Sequence, residues 1–296
     1  MEYISAKHLL YRSRTTAWFG TDHTMNLYRG CCHGCLYCDS RSACYHNPDF
    51  DTVKAKQDAL RILRDDLARK VKPAFIGMGA MSDPYNPFER ELHLTRHALE
   101  LIDAYDCGVA VATKGDLIVR DIDLYQSIQT HSPVICKLTI TTTDAELAAR
   151  VEPGAPSPEQ RLAALEKLAQ AGVFCGVLLM PVLSFLEDTE ENVTAVVDRA
   201  ADAGAKFVYA AMGVTMREGQ RDYFLQGLDR VFPERRLGER YRKRYGTRYQ
   251  CASPKAKELW SIFTQRCRER GLLYEMRHII SSATRAYKDR QLSFFD

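Results

Sequence analysis

The cysteines are the part of this sequence whose type and spacing most clearly indicate chemistry. Four of the ten lie between positions 31 and 38 of the 296-residue chain. Thiolates bind zinc and iron–sulfur clusters, so a group this compact predicts a metal site. Cys32, Cys35 and Cys38 have the C-x2-C-x2-C spacing of bacterial ferredoxins, but that motif needs a fourth cysteine at position 42, which is Ser42.

Two further arrangements of these thiols are open. A structural zinc site could take two ligands from Cys35 and Cys38, but no second pair follows at the usual spacing. The other arrangement, Cys31-x3-Cys35-x2-Cys38, supplies three thiolates from one loop after a strand. Three protein ligands on a four-iron cluster leave one iron open, and an open coordination position is typical of a reactive metal site. This spacing therefore favours chemistry over a structural role.

The elements that must position these cysteines alternate between amphipathic helices and short apolar strands. We expect strands near residues 24–28, 74–78, 107–113, 134–141, 173–180 and 206–212, and helices near 51–70, 88–105, 120–130, 157–171 and 188–203. This alternation predicts an α/β fold with a parallel sheet, in which reactive groups lie at the carboxyl ends of the strands. Beyond residue 213 we expect a helix near 254–270, a short strand at 272–276 and a polar tail.

The composition is that of an ordinary globular protein, with 46% hydrophobic and 27% charged residues. A net charge of +3 neither favours nor excludes a nucleic-acid partner. The first residues lack the apolar segment of a signal peptide, and no apolar run approaches the roughly 18 residues of a membrane span. We therefore expect a cytoplasmic protein with no membrane partner. In that reducing compartment the cysteines are available for metals rather than for disulfides.

The cysteine loop resembles that of the radical S-adenosylmethionine (radical SAM) superfamily, in which C-x3-C-x2-C carries an aromatic residue before the last cysteine. The Tyr-Arg-Gly-Cys, His-Gly-Cys and Tyr-Cys steps of residues 28–38 are similar to the spore photoproduct lyase-like branch. Further similar segments are Ser-Asp-Pro-Tyr-Asn-Pro-Phe-Glu at 82–89, Leu-Thr-Arg at 94–96, Thr-Lys at 113–114, Arg-Asp at 120–121, and 152–158 with Arg-Leu at 161–162. Within the last of these, Gly154 stands where the branch usually has arginine.

The resemblance implies a fold and a set of cofactors. The fold would be a partial (β/α)6 TIM-like barrel of radical SAM type over residues 1–230, with a basic and aromatic C-terminal extension over 231–296. Cys31, Cys35 and Cys38 would hold a [4Fe–4S] cluster whose open iron chelates S-adenosylmethionine. Reduction by a donor such as flavodoxin or ferredoxin would then produce a 5′-deoxyadenosyl radical. The cofactors carry this chemistry, and the protein positions and shields them.

The resemblance also implies which residues contact S-adenosylmethionine. Tyr37 would pack beside the adenine, while Ser82, Asp83, Lys114 and Thr139 fall at the ends of the second, third and fourth strands. Hydroxyl groups can bond the ribose or the amino group, and an ammonium can pair with the carboxylate. Two of these residues have a plainer interpretation. The aspartate could cap the following turn, and the threonine could be an ordinary strand residue.

The sequence departs from the spore photoproduct lyases at two places. Those enzymes have a hydrogen-returning cysteine just before the Ser-Asp step, whereas residues 79–81 here are Gly-Ala-Met. Asp39 also replaces the tyrosine that often follows the last cluster cysteine. We therefore do not expect the specific spore-lesion reaction, although the radical-generating residues are present.

Four other side chains could bind metals but have plainer interpretations. Cys32 is expected to be a packed thiol, and the sequence assigns no role to Cys44. His93 and His97 have the i, i+4 spacing of a zinc-binding helix. Because position 94 is Leu94 instead of the glutamate of a metalloprotease motif, we expect ordinary histidines.

Residues 235–249 form the most basic segment of the chain. Seven cations, Arg235, Arg236, Arg240, Arg242, Lys243, Arg244 and Arg248, stand against one acid, Glu239. Tyr241, Tyr245 and Tyr249 recur every four residues, which predicts a helix with a stacking face for bases and a second face for phosphates. This segment is our candidate for binding DNA or RNA. The alternative is a solvated helix whose tyrosines pack on the barrel.

The final residues, Gln-Leu-Ser-Phe-Phe at 291–295, resemble the peptides by which bacterial repair proteins dock on the DNA sliding clamp. The alternative is that they pack on their own domain. Together these features predict a radical SAM enzyme that acts on nucleic acid, as in repair of a damaged base. Two alternatives are an enzyme of the same type acting on a protein or small molecule, and a non-catalytic iron–sulfur or zinc protein that binds nucleic acid.

Overall fold

The computed structural model describes residues 1–70 and 72–288. Its strands are β1 (Glu2–Ile4), β2 (Tyr11–Arg12), β3 (His23–Met25), β4 (Tyr28–Arg29), β5 (Lys54–Lys56), β6 (Phe75–Met78), β7 (Gly108–Thr113), β8 (Val134–Thr139), β9 (Cys175–Leu179), β10 (Phe207–Ala210), β11 (Gly213–Thr215) and β12 (Gln250–Ala252). Its helices are α1 (Ala59–Ala68), α2 (Glu89–Leu92), α3 (Leu94–Ala104), α4 (Ile122–Gln129), α5 (Ala145–Val151), α6 (Pro158–Gln170), α7 (Glu190–Asp202), α8 (Gln220–Val231), α9 (Leu237–Tyr245), α10 (Ala256–Glu269) and α11 (Met276–Lys288).

The central sheet has seven strands in the order β10-β9-β8-β7-β6-β3-β2. The strands from β10 to β3 pair in parallel, and β2 adds to the edge in the antiparallel direction. Helices α1, α3, α4, α6 and α7 lie between these strands in the chain, as right-handed βα units require. The predicted α/β fold of partial-barrel type is therefore confirmed. None of the helices in the described ranges is both long and apolar enough to cross a membrane.

Alternation along the strands separates an outer core from the barrel interior. In β8, Cys136 and Leu138 belong to the large outer apolar cluster, whereas Ile135 belongs to a second, inner cluster. Side chains of a strand point alternately to its two faces, so one buried strand supplies both clusters. The inner cluster also contains Phe19 and Phe207, and it is lined by strands that are apolar on both sides, as in buried parallel sheets.

Several helices begin at residues that cap them. The Asp144 carboxylate accepts hydrogen bonds from two backbone amides at the start of α5, and Thr189 accepts one at the start of α7. At α6, Ser157 and Gln160 form a reciprocal capping box, with Pro158 in the first helical position. These side chains satisfy amides that have no partner inside the helix, which fixes where each helix starts after its loop.

Two predicted elements have different boundaries in the structure. The segment at 24–28 is not one strand, because β3 ends at Met25 and β4 joins a separate sheet with the order β1-β5-β4. Between them the Asn26 Oδ1 accepts from the Met81 amide at 3.1 Å. The helix predicted from residue 51 begins only at Ala59, since residues 54–56 pair with β1 and β4 as β5.

The predicted strand at 272–276 is wrong, since this segment makes only a bridge between Leu273 and Phe207. Helix α11 starts at Met276, where a polar tail was expected. Ile279 and Ala283 lie one helical turn apart and are both buried in the inner cluster. Burial of this narrow apolar stripe beneath the barrel stabilises a helix that is otherwise polar.

Helices α8 and α9 pack over the cysteine loop. Leu36 and Tyr37 share an apolar cluster with Phe224 of α8 and Tyr241 of α9. At Gly227 a Cβ atom would lie 2.9 Å from a methyl carbon of Leu36, so the helix approaches the loop closely. The division of the chain at residue 230 remains a prediction, and residues from both sides of it share this cluster.

Candidate active site

Backbone contacts hold the start of the cysteine loop against residues 50–52. The Cys31 amide donates to the Phe50 carbonyl at 2.8 Å, and the Cys38 amide donates to the Cys35 carbonyl at 3.3 Å. Gly30 has φ +81°, and a Cβ atom there would lie 2.3 Å from the Thr52 oxygen. A glycine is therefore required where the chain enters the loop.

One cavity joins the three predicted cluster ligands to the strand ends. Its walls come from the cysteine loop and from the carboxyl ends of β6, β7 and β8. The predicted site residues that line it are Cys31, Cys35, Cys38, Ser82, Asp83, Lys114 and Thr139. The chain positions of these residues span more than a hundred residues, and the parallel sheet brings them together at one edge. Cys32 does not line this cavity but packs partly buried against the outer core.

The three thiols of the loop have the ligand chemistry of an iron–sulfur cluster. Within residues 1–70 and 72–288, no three His, Cys, Asp or Glu side chains form a group that could hold one metal ion. Zinc in a structural site needs its ligands to converge on one atom. A four-iron cluster instead takes each thiolate on a different iron, so its ligands surround a larger object. Burial raises the pKa of the Cys35 thiol to about 12, so this thiol must lose a proton when it binds a metal.

Asp83 ties the second and third strand ends to the cysteine loop. Its Oδ1 accepts from the Tyr85 amide at 2.8 Å and from the Thr113 hydroxyl. Its Oδ2 accepts from the Lys114 amide at 2.8 Å and lies 3.4 Å from Nδ1 of His33. Asp83 thus lines the cavity and also caps the turn, as its plainer interpretation expected.

A buried ionic network lies beside the thiols. Lys114 Nζ and Glu152 Oε1 are 3.8 Å apart, and the Arg161 guanidinium donates to Glu152 Oε2 at 2.6 Å. Arg161 also donates to the Thr139 carbonyl at 2.7 Å, which links the network to the end of β8. The sequence placed Glu152 and Arg161 in family-like segments but gave them no role. The sequence signal that could have found this pair was a glutamate and an arginine nine positions apart, one before and one after the start of a helix.

Electrostatics keeps this network charged despite its burial. Burial opposes the charge of Glu152, but Lys114 and Arg161 outweigh it and lower the pKa of that carboxyl. Burial likewise opposes the charge of Lys114, but Cys35 and Glu152 outweigh it and raise its pKa. Lys114 is therefore an ammonium with one distant carboxylate partner, and it faces the cavity with donors to spare.

Tyr37 supports this network from outside the cavity lining. Its hydroxyl donates to Glu152 Oε1, and its ring lies 5.3 Å from Lys114 Nζ. Its backbone carbonyl accepts from the Gln220 side chain of α8 at 3.2 Å. The tyrosine therefore connects the cysteine loop, the ionic network and the C-terminal helices. Its predicted place beside an adenine stays a prediction.

Comparison with known proteins identifies the family. The model of the radical SAM superfamily matches residues 25–200. The chain belongs to the radical SAM superfamily. An uncharacterized protein of Mycobacterium tuberculosis is 34% identical over 230 residues, which covers 75% of this chain and 67% of that protein. An uncharacterized protein of Methanocaldococcus jannaschii is 32% identical over 174 residues, which covers 58% of this chain and 64% of that protein.

Solved structures share the fold at low sequence identity. A mutant of spore photoproduct lyase superposes with a TM-score of 0.69 at 18% identity, covering 92% of this chain and 81% of that chain. Spore photoproduct lyase complexed with dinucleoside spore photoproduct gives 0.66 at 18% identity, with the same coverage. A radical SAM methyltransferase of Kitasatospora setae, with cobalamin and a [4Fe–4S] cluster bound, gives 0.59 at 12% identity over 96% of this chain and 66% of that chain. The spore photoproduct lyase-like resemblance of the sequence therefore extends to the fold.

The basic segment at 235–249 has no tyrosine stacking face of the kind predicted. Tyr241 and Tyr245 are buried, and they pack against Phe185 and Phe224. The Tyr241 hydroxyl donates to the Ser184 carbonyl at 3.1 Å. Residues four apart lie on one helix face, and that face of α9 is the one that contacts α8. The alternative, in which the tyrosines pack on the protein, is correct for these two residues.

The cations of this segment divide into paired and unpaired groups. Arg236 lies 2.5 Å from Glu239, Arg242 lies 3.5 Å from Asp229, and Arg235 donates to the Phe185 carbonyl. Lys243, Arg244 and Arg248 are exposed, and none has an ion-pair partner in the described part of the chain. Tyr249 is 44% exposed beside them and accepts a hydrogen bond from Arg217 at 2.9 Å.

The other candidate sites do not gain a function from the structure. His93 and His97 belong to no metal-binding group within the described residues, and the latter pairs with Glu100 at 3.0 Å. Cys44 is exposed near the Arg217 guanidinium. The clamp-like peptide at 291–295 lies outside the described residues.

Proposed function

We propose that this chain is a radical SAM enzyme in which Cys31, Cys35 and Cys38 hold a [4Fe–4S] cluster. The observation that carries the proposal is the single cavity that these thiols share with the carboxyl ends of β6, β7 and β8. A cluster held at three irons, together with S-adenosylmethionine, supplies a 5′-deoxyadenosyl radical after one-electron reduction. The residues around the cavity bind and orient that molecule.

The polar residues of the cavity match the groups of S-adenosylmethionine. The Lys114 ammonium pairs with its carboxylate, because Glu152 at 3.8 Å leaves donors free. Ser82 donates its hydroxyl proton to the Tyr28 carbonyl at 3.0 Å, so its oxygen accepts from the amino group. Asp83 holds both strand ends in place, and Thr139 offers a hydroxyl at the end of β8. Tyr37 packs beside the adenine while it holds Glu152.

The substrate that we propose is a nucleic acid with a damaged base. Two observations support this proposal. The exposed cations Lys243, Arg244 and Arg248 are free to contact phosphates, and the fold is shared with a spore photoproduct lyase that is complexed with a dinucleoside photoproduct. Because the tyrosines of α9 are buried, they cannot stack on bases. Nucleic-acid binding at this helix would therefore depend on charge and would be strongly salt-dependent.

The proposal includes two protein partners that follow from the sequence resemblance. A donor of the flavodoxin or ferredoxin type supplies the electron, and residues 291–295 dock on the DNA sliding clamp. Deleting residues 291–296 is expected to abolish clamp binding without changing the iron content. An unchanged titration with the clamp would remove that partner from the proposal.

The radical-generating step can be tested without knowledge of the substrate. The oxygen-protected, cluster-loaded chain is reduced with dithionite in the presence of S-adenosylmethionine, and 5′-deoxyadenosine is measured by chromatography. We expect formation by the wild type, none by Cys35→Ala, and wild-type yield by the matched control Cys32→Ala. A chain that contains zinc without iron, or iron without product, would overturn the proposal in favour of a non-catalytic binding protein.

The substrate class can be tested in the same reaction. Lesion-bearing oligonucleotides are added as a panel, and their repair and the yield of 5′-deoxyadenosine are followed together. We expect at least one lesion to be consumed in step with the cofactor. Consumption of a peptide or small molecule with no response to any oligonucleotide would favour the alternative substrates.

A further inference from the structure

Lys137 is a lysine inside the barrel. It lies in the middle of β8, two residues from Ile135, which faces the inner cluster, and two residues from Thr139, which faces the cysteine cavity. Alternation along the strand places all three side chains on the inner face. Lys137 is only 2% exposed, which is rare for a lysine that has no partner.

No polar group of the described residues satisfies the Lys137 amine. It has neither a hydrogen bond nor an ion pair there, and it lies over the face of the Phe19 ring, whose centroid is 4.3 Å from Nζ. A cation–π contact offsets only part of the solvation free energy that an ammonium loses when it is buried. An amine that lines a cavity and has no partner among the described residues is free to bind a ligand.

The amine faces a cavity in the barrel interior. Small residues of neighbouring strands, Gly77, Ala110 and Ala112, leave this space open. Its walls share Gly79, Ala80, Ala112, Lys114 and Thr139 with the cysteine cavity. A molecule bound in the interior would therefore lie directly beside a molecule bound at the thiols.

The lining of the interior cavity is positively charged. Lys114 and Lys137 are its ionisable groups, and its lining contains no aspartate or glutamate among the described residues. The inner faces of the flanking strands offer Ala110 and Ala112 from β7 and Leu178 from β9, none of which titrates. Glu152 is 3.8 Å from Lys114, so Lys137 is the ionisable group of this lining that has no acid nearby in the described part of the chain. In surroundings of low dielectric, an ammonium without a local acid favours an anion.

We propose that Lys137 binds an oxyanion of the substrate, a phosphate or a carboxylate, in the barrel interior beside the cysteine cavity. This inference rests on the proposed function only in treating the interior cavity as the substrate side of a radical SAM site. Burial lowers the pKa of Lys137 to about 7, with Cys136 on the same strand acting in the opposite direction. An anion binds the ammonium form, so affinity should increase as the pH falls through 7.

The test measures anion binding to the cluster-loaded full chain. Saturating S-adenosylmethionine occupies the first cavity, and inorganic phosphate, acetate and thymidine 5′-monophosphate are titrated separately by calorimetry at pH 6.5 and 8.5. Wild type, Lys137→Met and the control Lys206→Met, which changes an exposed lysine, are compared. We expect Lys137→Met to weaken the preferred anion at least tenfold at pH 6.5, and the control to match the wild type.

The outcomes separate this inference from the function on which it rests. Tighter phosphate binding identifies a phosphate site, and tighter acetate binding identifies a carboxylate site. Equal affinity of Lys137→Met and wild type for every probe, or no binding by wild type, would overturn the inference. Should that variant fail to fold, wild-type binding that does not strengthen from pH 8.5 to 6.5 would also overturn it. Formation of 5′-deoxyadenosine is measured separately and tests only the proposed function.

Discussion

Two lysines of the same barrel, Lys114, which is half-buried, and Lys137, which is buried, have opposite electrostatic surroundings. Lys114 lies at the end of β7 beside Glu152, and neighbouring negative groups raise its pKa above the ordinary value despite its burial. Lys137 lies in the middle of β8 over an aromatic ring, and burial lowers its pKa to about 7. The side chains are identical, so the difference in pKa comes from their neighbours, which are Cys35 and Glu152 beside Lys114 and an aromatic ring beside Lys137.

This difference indicates which charges belong to the framework. Glu152 contacts Lys114, Arg161 and Tyr37, so each cation of this network has an acid beside it before any ligand binds. Such a network keeps the cysteine loop and the strand ends in fixed positions. Lys137 has no such compensation among the described residues and can gain it from a ligand. The paired charges around Glu152 therefore support the site, whereas the unpaired amine of Lys137 is a place where the substrate can bind.

The largest expected effect comes from removing the acid of the compensated network. Glu152→Gln leaves Lys114 and Arg161 buried without a negative partner, so we expect a loss of about 3–5 kcal/mol in the free energy of unfolding. Urea unfolding of the full chain measures it. Glu159→Gln is the matched control, because its partner Arg199 is 44% exposed and an exposed pair contributes less than about 1 kcal/mol. Equal losses in the two variants would contradict the comparison.

The second effect has the opposite sign. Lys137→Met removes an unpaired buried amine, so we expect it to stabilise the chain by about 2 kcal/mol at pH 6. Between about pH 7 and 10 this lysine holds a proton in the unfolded chain but not in the folded chain, so its contribution to wild-type stability rises with pH. The gain from the substitution therefore shrinks toward pH 10. Urea unfolding at several pH values checks this, and a destabilised variant at pH 6 would show that the amine has a partner.

Glu187 offers a third case, an acid that has hydrogen bonds but no cation in contact within the described residues. Its carboxylate accepts from the Leu183 amide and the Thr141 hydroxyl, yet burial raises its pKa to about 8. Between about pH 4.5 and 8 the folded chain binds more protons, so this residue makes stability fall as the pH rises. Glu187→Gln should flatten that slope and stabilise the chain by about 1 kcal/mol at pH 9. An unchanged slope in pH-dependent unfolding would show that the carboxylate is already ionised at neutral pH.

The smallest effect on stability is expected for exposed, unpaired charge. Replacing Lys243, Arg244 and Arg248 together by alanine should change the free energy of unfolding by less than about 0.5 kcal/mol per site. If these side chains contact phosphates, the slope of nucleic-acid affinity against salt should fall by about one unit for each phosphate that is no longer neutralised. Fluorescence anisotropy across a salt series measures this. The same slope in the triple variant and the wild type would remove the segment from the interface.

Much of the framework could be predicted from the sequence because its signals are local. Helical and strand periodicities indicated the alternation of the barrel, and the thiol spacing indicated three residues that share one cavity. The resemblance to the radical SAM superfamily pointed to Ser82, Asp83, Lys114 and Thr139, and the strand pattern placed them at strand ends. All of these features depend on residues close together in the chain or on the general rule that parallel strands end at one edge.

The features that could not be predicted depend on long-range packing. Tyr241 and Tyr245 have the spacing of a stacking face, but a buried face of α9 has the same spacing. The apolar stripe of helix α11 is so narrow that its sequence looks like a polar tail. The helix is recognisable only when the barrel surface that it covers is known. Lys137 did have a signal in the sequence, as a single lysine within the apolar strand Val134–Thr139. A strand that is buried on both faces is normally apolar throughout, so a single charged residue in it is a candidate for a functional role.

The floor of the barrel depends on both ends of the described chain. The Phe19 amide donates to the Met276 sulfur at 3.3 Å across 257 residues, and α11 supplies Ile279 and Ala283 to the inner cluster that contains Phe207. A nascent chain leaves the ribosome amino end first, so these aromatic rings stay uncovered until α11 has been synthesised. Ribosome-stalled chains that stop before residue 276 should therefore expose the apolar surface that α11 covers in the folded protein.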